Sequence, residues 1–421
     1  VLRSTRFDID LDAIAHNLRQ VKGMVGAPND GPEGDDEAGR GAAFTPAFTP
    51  VKIAAVVKAD AYGLGAVRVA RALLREGVDM LAVACLPEAL RLRRAYPDAA
   101  ILVMGHTPDE YLPVAARERV TCSLFDLGQA EAFSTAARAA GVRAVAHVKI
   151  DTGMNRLGLK PGLFEPGIGA GSAAELLGRM ASLPSLELEG IFTHLALYDA
   201  ASDAAQFAAF ERLVDEAASL GLRFAIRHVC DSIGLMRYPA YRLDMVRPGA
   251  VLYGVTPLDT PLTDSADMIT PFRLSTRISR LRRLSPGEGV GYDFSYRAPP
   301  GGALLATLPV GYADGYKRCL SNVASVLVRG VRAPVVGLIC MDQCTVDVSA
   351  VPGVAEGDEV VLLGGDRRGE PGSGVPVLEV ASWAGTNRND VICSIGARVP
   401  RAYYEGGELV AETDYVMEGL V

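Results

Sequence analysis

Hydrophobic and polar positions follow two regimes along the 421 residues. Through residue 261, short apolar runs alternate with stretches whose apolar residues recur every third or fourth position. The runs 53–57, 80–84, 100–104, 120–124, 144–150, 188–194, 225–230 and 250–254 predict buried strands. Helical patterns separate them: Val67, Ala70, Leu73 and Leu74 form one, and Ala205, Leu213 and Ala217 belong to another. A first helix is predicted from Leu11 to Val25. Eight strand–helix alternations in about 250 residues match the count and length of a (β/α)8 barrel.

From residue 262 onward the pattern changes. Strand-like segments at Leu274–Leu284, Ala303–Pro309, Ser325–Val328, Pro334–Leu338, Cys344–Val348 and Glu359–Leu363 are separated by turns such as Pro286-Gly287-Glu288 and Gly364-Gly365. Repeated strands with such turns predict a second, mainly β domain. Thr5–Asp10 also reads as a strand, able to pair with this distant domain. The expected division is therefore α/β: a barrel over 12–261, and a C-terminal β domain formed by 262–421 together with 1–11. Residues 26–50 are rich in Gly, Pro, Asp and Ala, and end in the repeat Phe44-Thr45-Pro46, Phe48-Thr49-Pro50. They read as a flexible surface insertion, with a partner-binding loop as the alternative.

Composition narrows the class. A net charge of −8, with both signs spread along the chain, leaves no nucleic-acid footprint. Arg273 to Arg283 alternates Arg with Leu, Ile and Ser, as a strand with one solvated face does. Seven scattered cysteines without a Cys-x-x-Cys pair argue for reduced thiols in a cytoplasmic protein, and against structural zinc or a disulfide framework. The first residues carry no signal-peptide apolar core, and no run of eighteen apolar residues predicts a membrane span.

Candidate chemistry gathers at strand ends. Lys58 follows Ile53-Ala54-Ala55-Val56-Val57 and opens Lys58-Ala59-Asp60-Ala61-Tyr62-Gly63-Leu64-Gly65. The carboxyl end of a barrel strand is where such folds build active sites. Desolvation there would lower the amine's pKa and free it as a nucleophile; a lysine snorkelling to solvent is the plainer reading. A second string, Lys149-Ile150-Asp151-Thr152-Gly153-Met154-Asn155-Arg156, ends another strand with an Arg able to donate two hydrogen bonds to an oxygen-rich ligand, or to form a surface ion pair. Phe192-Thr193-His194 and Arg247-Pro248-Gly249-Ala250 also lie near strand ends. Small residues in His228-Val229-Cys230-Asp231-Ser232 and Gly249-Ala250 would let backbone N–H groups approach a phosphate.

Taken together these strings resemble the alanine racemase family, over roughly residues 5 to 404 outside the insertion. The resemblance implies the barrel-plus-β fold and a pyridoxal 5'-phosphate (PLP)-dependent isomerase that interconverts L- and D-alanine. Lys58 would carry the cofactor, beside Tyr62. Arg156 would contact the cofactor's phenolic oxygen and the substrate carboxylate, and Lys149 stands where many members carry a carbamylated lysine. His194 would lie near the pyridine ring and Arg247 would face its nitrogen. An Arg stays protonated, so the ring nitrogen would stay unprotonated and the cofactor a weaker electron sink, which suits a racemase. Ser232, Gly249 and Ala250 would serve the phosphate.

In the β domain, Gly291-Tyr292 resembles the family's motif for the second catalytic base. Racemisation needs a proton acceptor on each face of a planar carbanion, and one lysine covers one face. Tyr312 matches an entrance or carboxylate-binding residue. Cys340-Met341-Asp342-Gln343 matches a string whose Met341 and Asp342 would bind substrate in a partner's barrel, which implies a homodimer with shared sites.

Three departures and one retained string matter for the details. Asp231 replaces the usual Asn, and Leu338 replaces an Arg. Asn389 replaces a tyrosine expected beside the phosphate and substrate, which enlarges the pocket; in that respect the chain is similar to related serine racemases. Arg398-Val399-Pro400-Arg401 keeps the family's spacing. Alanine is the expected substrate, with serine or a broader set of small amino acids as the alternative. A barrel decarboxylase of ornithine, lysine or diaminopimelate, or a non-catalytic PLP-binding barrel protein, are the remaining readings.

Overall fold

The structure, a computed structural model, describes residues 2–26, 50–161, 172–256, 267–365 and 374–417. The expected insertion therefore lies, at 27–49, outside the described residues. Eight parallel strands form one sheet: β2 (Lys52–Val56), β3 (Met80–Val83), β4 (Ile101–Val103), β5 (Thr121–Leu124), β6 (Ala144–Lys149), β7 (Leu186–Phe192), β8 (Ile226–His228) and β9 (Met245–Val246). Their order, 8-7-6-5-4-3-2-9, brings the last strand beside the first, Lys52 opposite Met245. Asp244 N donates to Arg227 O (3.1 Å) and Arg247 N to Cys230 O (2.9 Å), which draws the remaining edges together. Helices such as Ala66–Arg75, Leu127–Ala139 and Ala200–Ser219 follow their strands on the outside. Near-continuous burial along β2 to β5 fits parallel strands covered on both faces.

The run 250–254 was the expected eighth strand, and the structure corrects it. Ala250–Tyr253 is a 3-10 turn, and the eighth strand is the two-residue β9. Pro248 offers no N–H to a ladder, while Val251, Leu252 and Tyr253 bury themselves as a turn. A short apolar run does not distinguish these two ways of being buried.

A seven-stranded sheet forms most of the second unit. It contains β1 (Arg6–Asp10), β10 (Phe272–Arg277), β15 (Ser325–Val328), β16 (Val331–Pro334), β18 (Glu359–Gly364), β19 (Arg401–Glu405) and β20 (Glu408–Thr413), in the order 16-15-18-10-1-19-20. β1 pairs antiparallel with β10 and parallel with β19. A three-stranded sheet joins β11 (Arg280–Leu284), β14 (Ala303–Leu308) and β17 (Cys344–Asp347), and β12 (Gly289–Val290) pairs with β13 (Tyr296–Arg297).

The stretch Leu274–Leu284, expected as one strand, is two. Ile278 N donates to Asp358 O and Ser279 N to Thr307 O, so the chain leaves one sheet for another between them. Pro334–Leu338 is likewise displaced, the strand being Val331–Pro334. Two helices, Val377–Ala384 and Arg388–Cys393, sit in the otherwise β unit. All seven cysteines are unpaired, and among the described residues no helix is long and apolar enough to cross a membrane.

Candidate active site

A cavity of about 400 Å³ opens at the carboxyl ends of the barrel strands. Lys58, Tyr62, Lys149, Arg156, His194, Ser232, Arg247, Gly249, Ala250 and Asn389 all line it. Four of these are lysines or arginines, and among the described residues Asp231 is the one carboxylate on the wall. The field therefore favours an anionic ligand. His194 carries the mark of it: burial, then Arg247, Arg156, Lys149 and Lys58, push its pKa down to about 3, so the imidazole is neutral.

Lys58 sits just past β2 and is exposed, which corrects the expectation of a desolvated amine. What is unusual is the backbone behind it. Ala59, Asp60, Ala61 and Tyr62 have φ of 52°, 53°, 55° and 58°, a left-handed turn closed by Gly63 at 85°. Each L-residue there costs roughly 1–2 kcal/mol, so the run persists only where neighbours over-determine it. Glu88 supplies part of that, accepting Ala59 N (2.7 Å) and Ala84 N (2.9 Å). Tyr62 is buried with its ring 4.7 Å from that of Tyr253. A Cβ at Gly249 would come within 2.6 Å of the Tyr62 hydroxyl and 3.2 Å of Val56, so only glycine lets the tyrosine lie there.

The buried lysine is Lys149. Its Nζ donates to Ile150 O (2.6 Å), and burial, then the Arg247 charge, lower its pKa to about 7 against the pull of Asp151. About half of this amine is neutral at neutral pH, whereas an ordinary lysine is almost wholly charged. The loop beyond it is wound around Asp151, whose Oδ1 accepts Gly153 N and Asn155 N, both at 3.0 Å. Leu159 N returns to Lys149 O (2.9 Å), which sets Arg156 at the cavity rim.

Arg247 is fixed from behind. It donates through Nη2 to Thr193 O (2.9 Å) and Val229 O (2.8 Å), and through Nη1 to His228 Nδ1 (2.8 Å). Because Arg only donates, His228 must be protonated at Nε2, which then donates to His147 Nδ1 (2.8 Å). His147 in turn donates through Nε2 to Glu189 (3.1 Å). Burial and the Arg247 charge hold His228 well below the usual histidine range, consistent with its neutral state. Arg247 itself, lowered by burial to about 10, remains a cation at neutral pH.

The sequence strings carried His228 only as a phosphate-site neighbour, and His147 and Glu189 not at all. The one available signal was that His147 and Lys149 share a face of β6.

Ser232 Oγ accepts from Gly249 N (2.8 Å) and Val251 N (3.3 Å), which leaves its hydroxyl proton for an anion. Asp231 finds its account here. It caps the helix Ser232–Arg237, its Oδ1 accepting Ile233 N (3.0 Å) and Gly234 N (2.8 Å).

Tyr292, Tyr312, Met341 and Asp342 are not on this cavity wall. They belong to the β unit, where Tyr292, Tyr312 and Met341 are 67%, 42% and 53% exposed. Tyr312 N donates to Cys340 O (3.1 Å) and Ala313 N to Met341 O (3.0 Å), so the 312 and 341 loops are laced together. Asp342 accepts Arg398 Nη1 at 2.8 Å.

Fold and cavity define a barrel enzyme with a cationic site at the carboxyl ends of its strands. A family model described as "Alanine racemase, N-terminal domain" matches residues 43–257, and one described as "Alanine racemase, C-terminal domain" matches 271–403. The alanine racemase of Desulfovibrio desulfuricans is 40% identical over 402 residues, covering 94% of this chain and 97% of that protein. The solved alanine racemase of Clostridium difficile 630 superposes with a TM-score of 0.86 at 33% identity, covering 99% and 100% of the two chains. That of Bartonella henselae, solved with covalently bound pyridoxal phosphate, gives 0.77 at 27% identity, covering 95% and 99%. The chain belongs to the alanine racemase family, whose members depend on PLP.

Proposed function

We propose that the chain interconverts L- and D-alanine with PLP held on Lys58. The observation that carries this reading is that Lys58 and the buried Arg247 face one cationic cavity of about 400 Å³. The residues fit the cofactor. Gly249 makes room for the Tyr62 hydroxyl to close this corner of the cavity, and Ser232 keeps a hydroxyl proton for a phosphate. Arg247, kept charged and donor-only, would face the ring nitrogen and leave it unprotonated; Arg156 would hold the phenolic oxygen and the substrate carboxylate. When bound, PLP withdraws electrons from the substrate's α-carbon and makes its C–H bond acidic.

The chain supplies the proton transfers. Lys58 takes or returns the α-proton on one face, and Tyr292 does so on the other. Tyr292 would come from a second copy, with Tyr312, Met341 and Asp342 at the entrance and substrate carboxylate. The exposure of Tyr292, Tyr312 and Met341 in one chain supports a homodimer with shared sites. Lys149, with its amine about half neutral near pH 7, is chemically ready for the carbamate that the family resemblance assigns to it. The domains used in this reading are the barrel, 12–261, and the β unit of 1–11 with 262–421, in a cytoplasmic protein. Serine is the second substrate to test, because Asn389 brings an amide to the cavity wall.

The test uses the purified chain loaded with PLP. Wild type should convert L-alanine to D-alanine on chiral chromatography, and borohydride should fix the cofactor on the peptide containing Lys58. Lys58→Ala should lose the lysine-bound absorbance and more than about 10³-fold in rate, removing both attachment and one base. An active Lys58→Ala protein would overturn the assignment.

A further inference from the structure

The left-handed turn behind Lys58 is held from the far end of the chain. Asp60 sits in its middle and is bonded on every side. Its carbonyl accepts Gly65 N (2.8 Å), and its Oδ1 accepts Ala66 N (2.7 Å) and Arg91 Nη1 (2.9 Å). Its Oδ2 accepts the hydroxyl of Tyr415 at 2.5 Å. Tyr415 lies past β20, 355 positions along the chain from Asp60 and outside the residues matched by the C-terminal family model.

The Tyr415 ring is clasped by cations as well. The guanidinium groups of Arg91 and Arg401 each lie 5.4 Å from its centroid. Arg401, buried at the start of β19, grips the other end of the turn. Its Nε donates to Gly63 O (3.0 Å), Nη1 to Gly396 O and Val399 O (both 2.6 Å), and Nη2 to Ile395 O (2.7 Å). Two residues on, the Tyr403 hydroxyl fills the space beside Gly65, 1.9 Å from where a Cβ would be. Side chains from the carboxyl-terminal segment thus brace the turn at Asp60, Gly63 and Gly65.

We propose that Tyr415, bonded to Asp60 and clasped by Arg91 and Arg401, is a positioning residue that aims Lys58 by fixing the left-handed turn. The inference rests on the reading of Lys58 as the cofactor-bearing lysine. Tyr415 touches neither substrate nor cofactor; it acts through the backbone of residues 59–65. Burial, then the Asp60 charge, push its pKa up to about 12, so the hydroxyl stays a donor across the working range.

Tyr415→Phe tests this role, because it keeps the ring between both guanidinium groups and removes only the hydroxyl, with its bonds to Asp60 and Arg91. In the PLP-loaded enzyme, hydrogen exchange over residues 57–66 should quicken about tenfold, as loss of a hydrogen bond to a charged group implies, while peptides from β3 to β5 stay as in wild type. The kcat for L-alanine should fall by a similar factor with KM within about twofold, and the pH midpoint of the lysine-bound absorbance should move. Asp60→Asn should shift exchange and kcat in the same direction and further, since it also weakens the Arg91 and Ala66 bonds to Oδ1. The double variant should fall short of the summed single effects, because the Tyr415–Asp60 bond is common to both.

Exchange and kcat at wild-type values would overturn the proposal. So would faster exchange spread evenly over the barrel, which would mark a merely structural residue. Failure of borohydride to fix PLP on Lys58 in wild type would instead defeat the functional reading, with the exchange result standing apart from it.

Discussion

The cationic cavity of the barrel is braced from behind by buried groups, whereas Tyr292, Tyr312 and Met341 of the β unit stand exposed. Around the cavity, Arg247 is held by two carbonyls and a histidine chain, Asp231 caps a helix, and the Lys58 turn is pinned at several points. Tyr292, Tyr312 and Met341 have no such enclosure, although the backbone loops of Tyr312 and Met341 are laced together. A charge that must face one atom of a ligand needs such bracing, because small displacements weaken directed hydrogen bonds steeply. An aromatic and methionine surface held on a firm backbone but left open is what a second protein surface covers. One chain thus holds a braced cationic cavity and, apart from it, an open aromatic face, the face that the proposed reading assigns to the site of a second copy.

The sharpest way to break that comparison is Tyr292→Phe. If this exposed hydroxyl is the second base, kcat should fall about 10²- to 10⁴-fold while cofactor binding on Lys58 is retained. Retained activity would leave the β-unit face without its chemical role. The measurement is racemisation in both directions beside the cofactor absorbance.

A smaller effect tests how strongly the barrel half is buried. Lys149 has a depressed folded pKa of about 7, against the ordinary lysine value of 10.5 in the unfolded chain. Between these limits the unfolded state binds the extra proton, so stability should rise with pH; below about 7 the full penalty applies. Relative to Lys149→Met, the wild-type chain should gain about 1.4 kcal/mol per pH unit across that window. Urea unfolding of the two proteins without cofactor, in CO2-free buffer from pH 7.5 to 9.5, measures it. Parallel curves would show an amine that is not desolvated.

The mildest prediction concerns Asn389, at the exposed edge of the cavity. Asn389→Tyr should lower the serine-to-alanine ratio of kcat/KM by several-fold to about tenfold, the scale of one small group or one neutral hydrogen bond. An unchanged ratio would remove Asn389 from substrate selection.

Much of the barrel was legible in the chain because its strands are short, apolar and separated by amphipathic helices. The strand at 80–84 was read within a residue of the observed Met80–Val83. The eighth failed because Val251-Leu252-Tyr253 is equally apolar as a turn. Lys58 was expected to be desolvated because five apolar residues precede it, yet it stands just past the strand end, exposed on the wall of an open cavity. The left-handed run left no mark, since Ala59-Asp60-Ala61-Tyr62 contains no glycine to announce positive φ. Tyr415 and the His228–His147–Glu189 chain were illegible for another reason: their partners are distant in sequence, and pattern reading sees only local periodicity. Asp231 made sense once its cap to Gly234 was visible; nothing in the structure explains Leu338.

The central claim, that each site joins the barrel of one chain to Tyr292 of another, is tested most directly by mixing two inactive chains. Lys58→Ala and Tyr292→Phe, co-expressed at equal levels and purified through separate tags, should form hybrid dimers with one intact site. Hybrids selected through both tags should show about half of wild-type activity, and the unselected random mixture about one quarter. Activity no higher than that of the better parent would contradict shared sites.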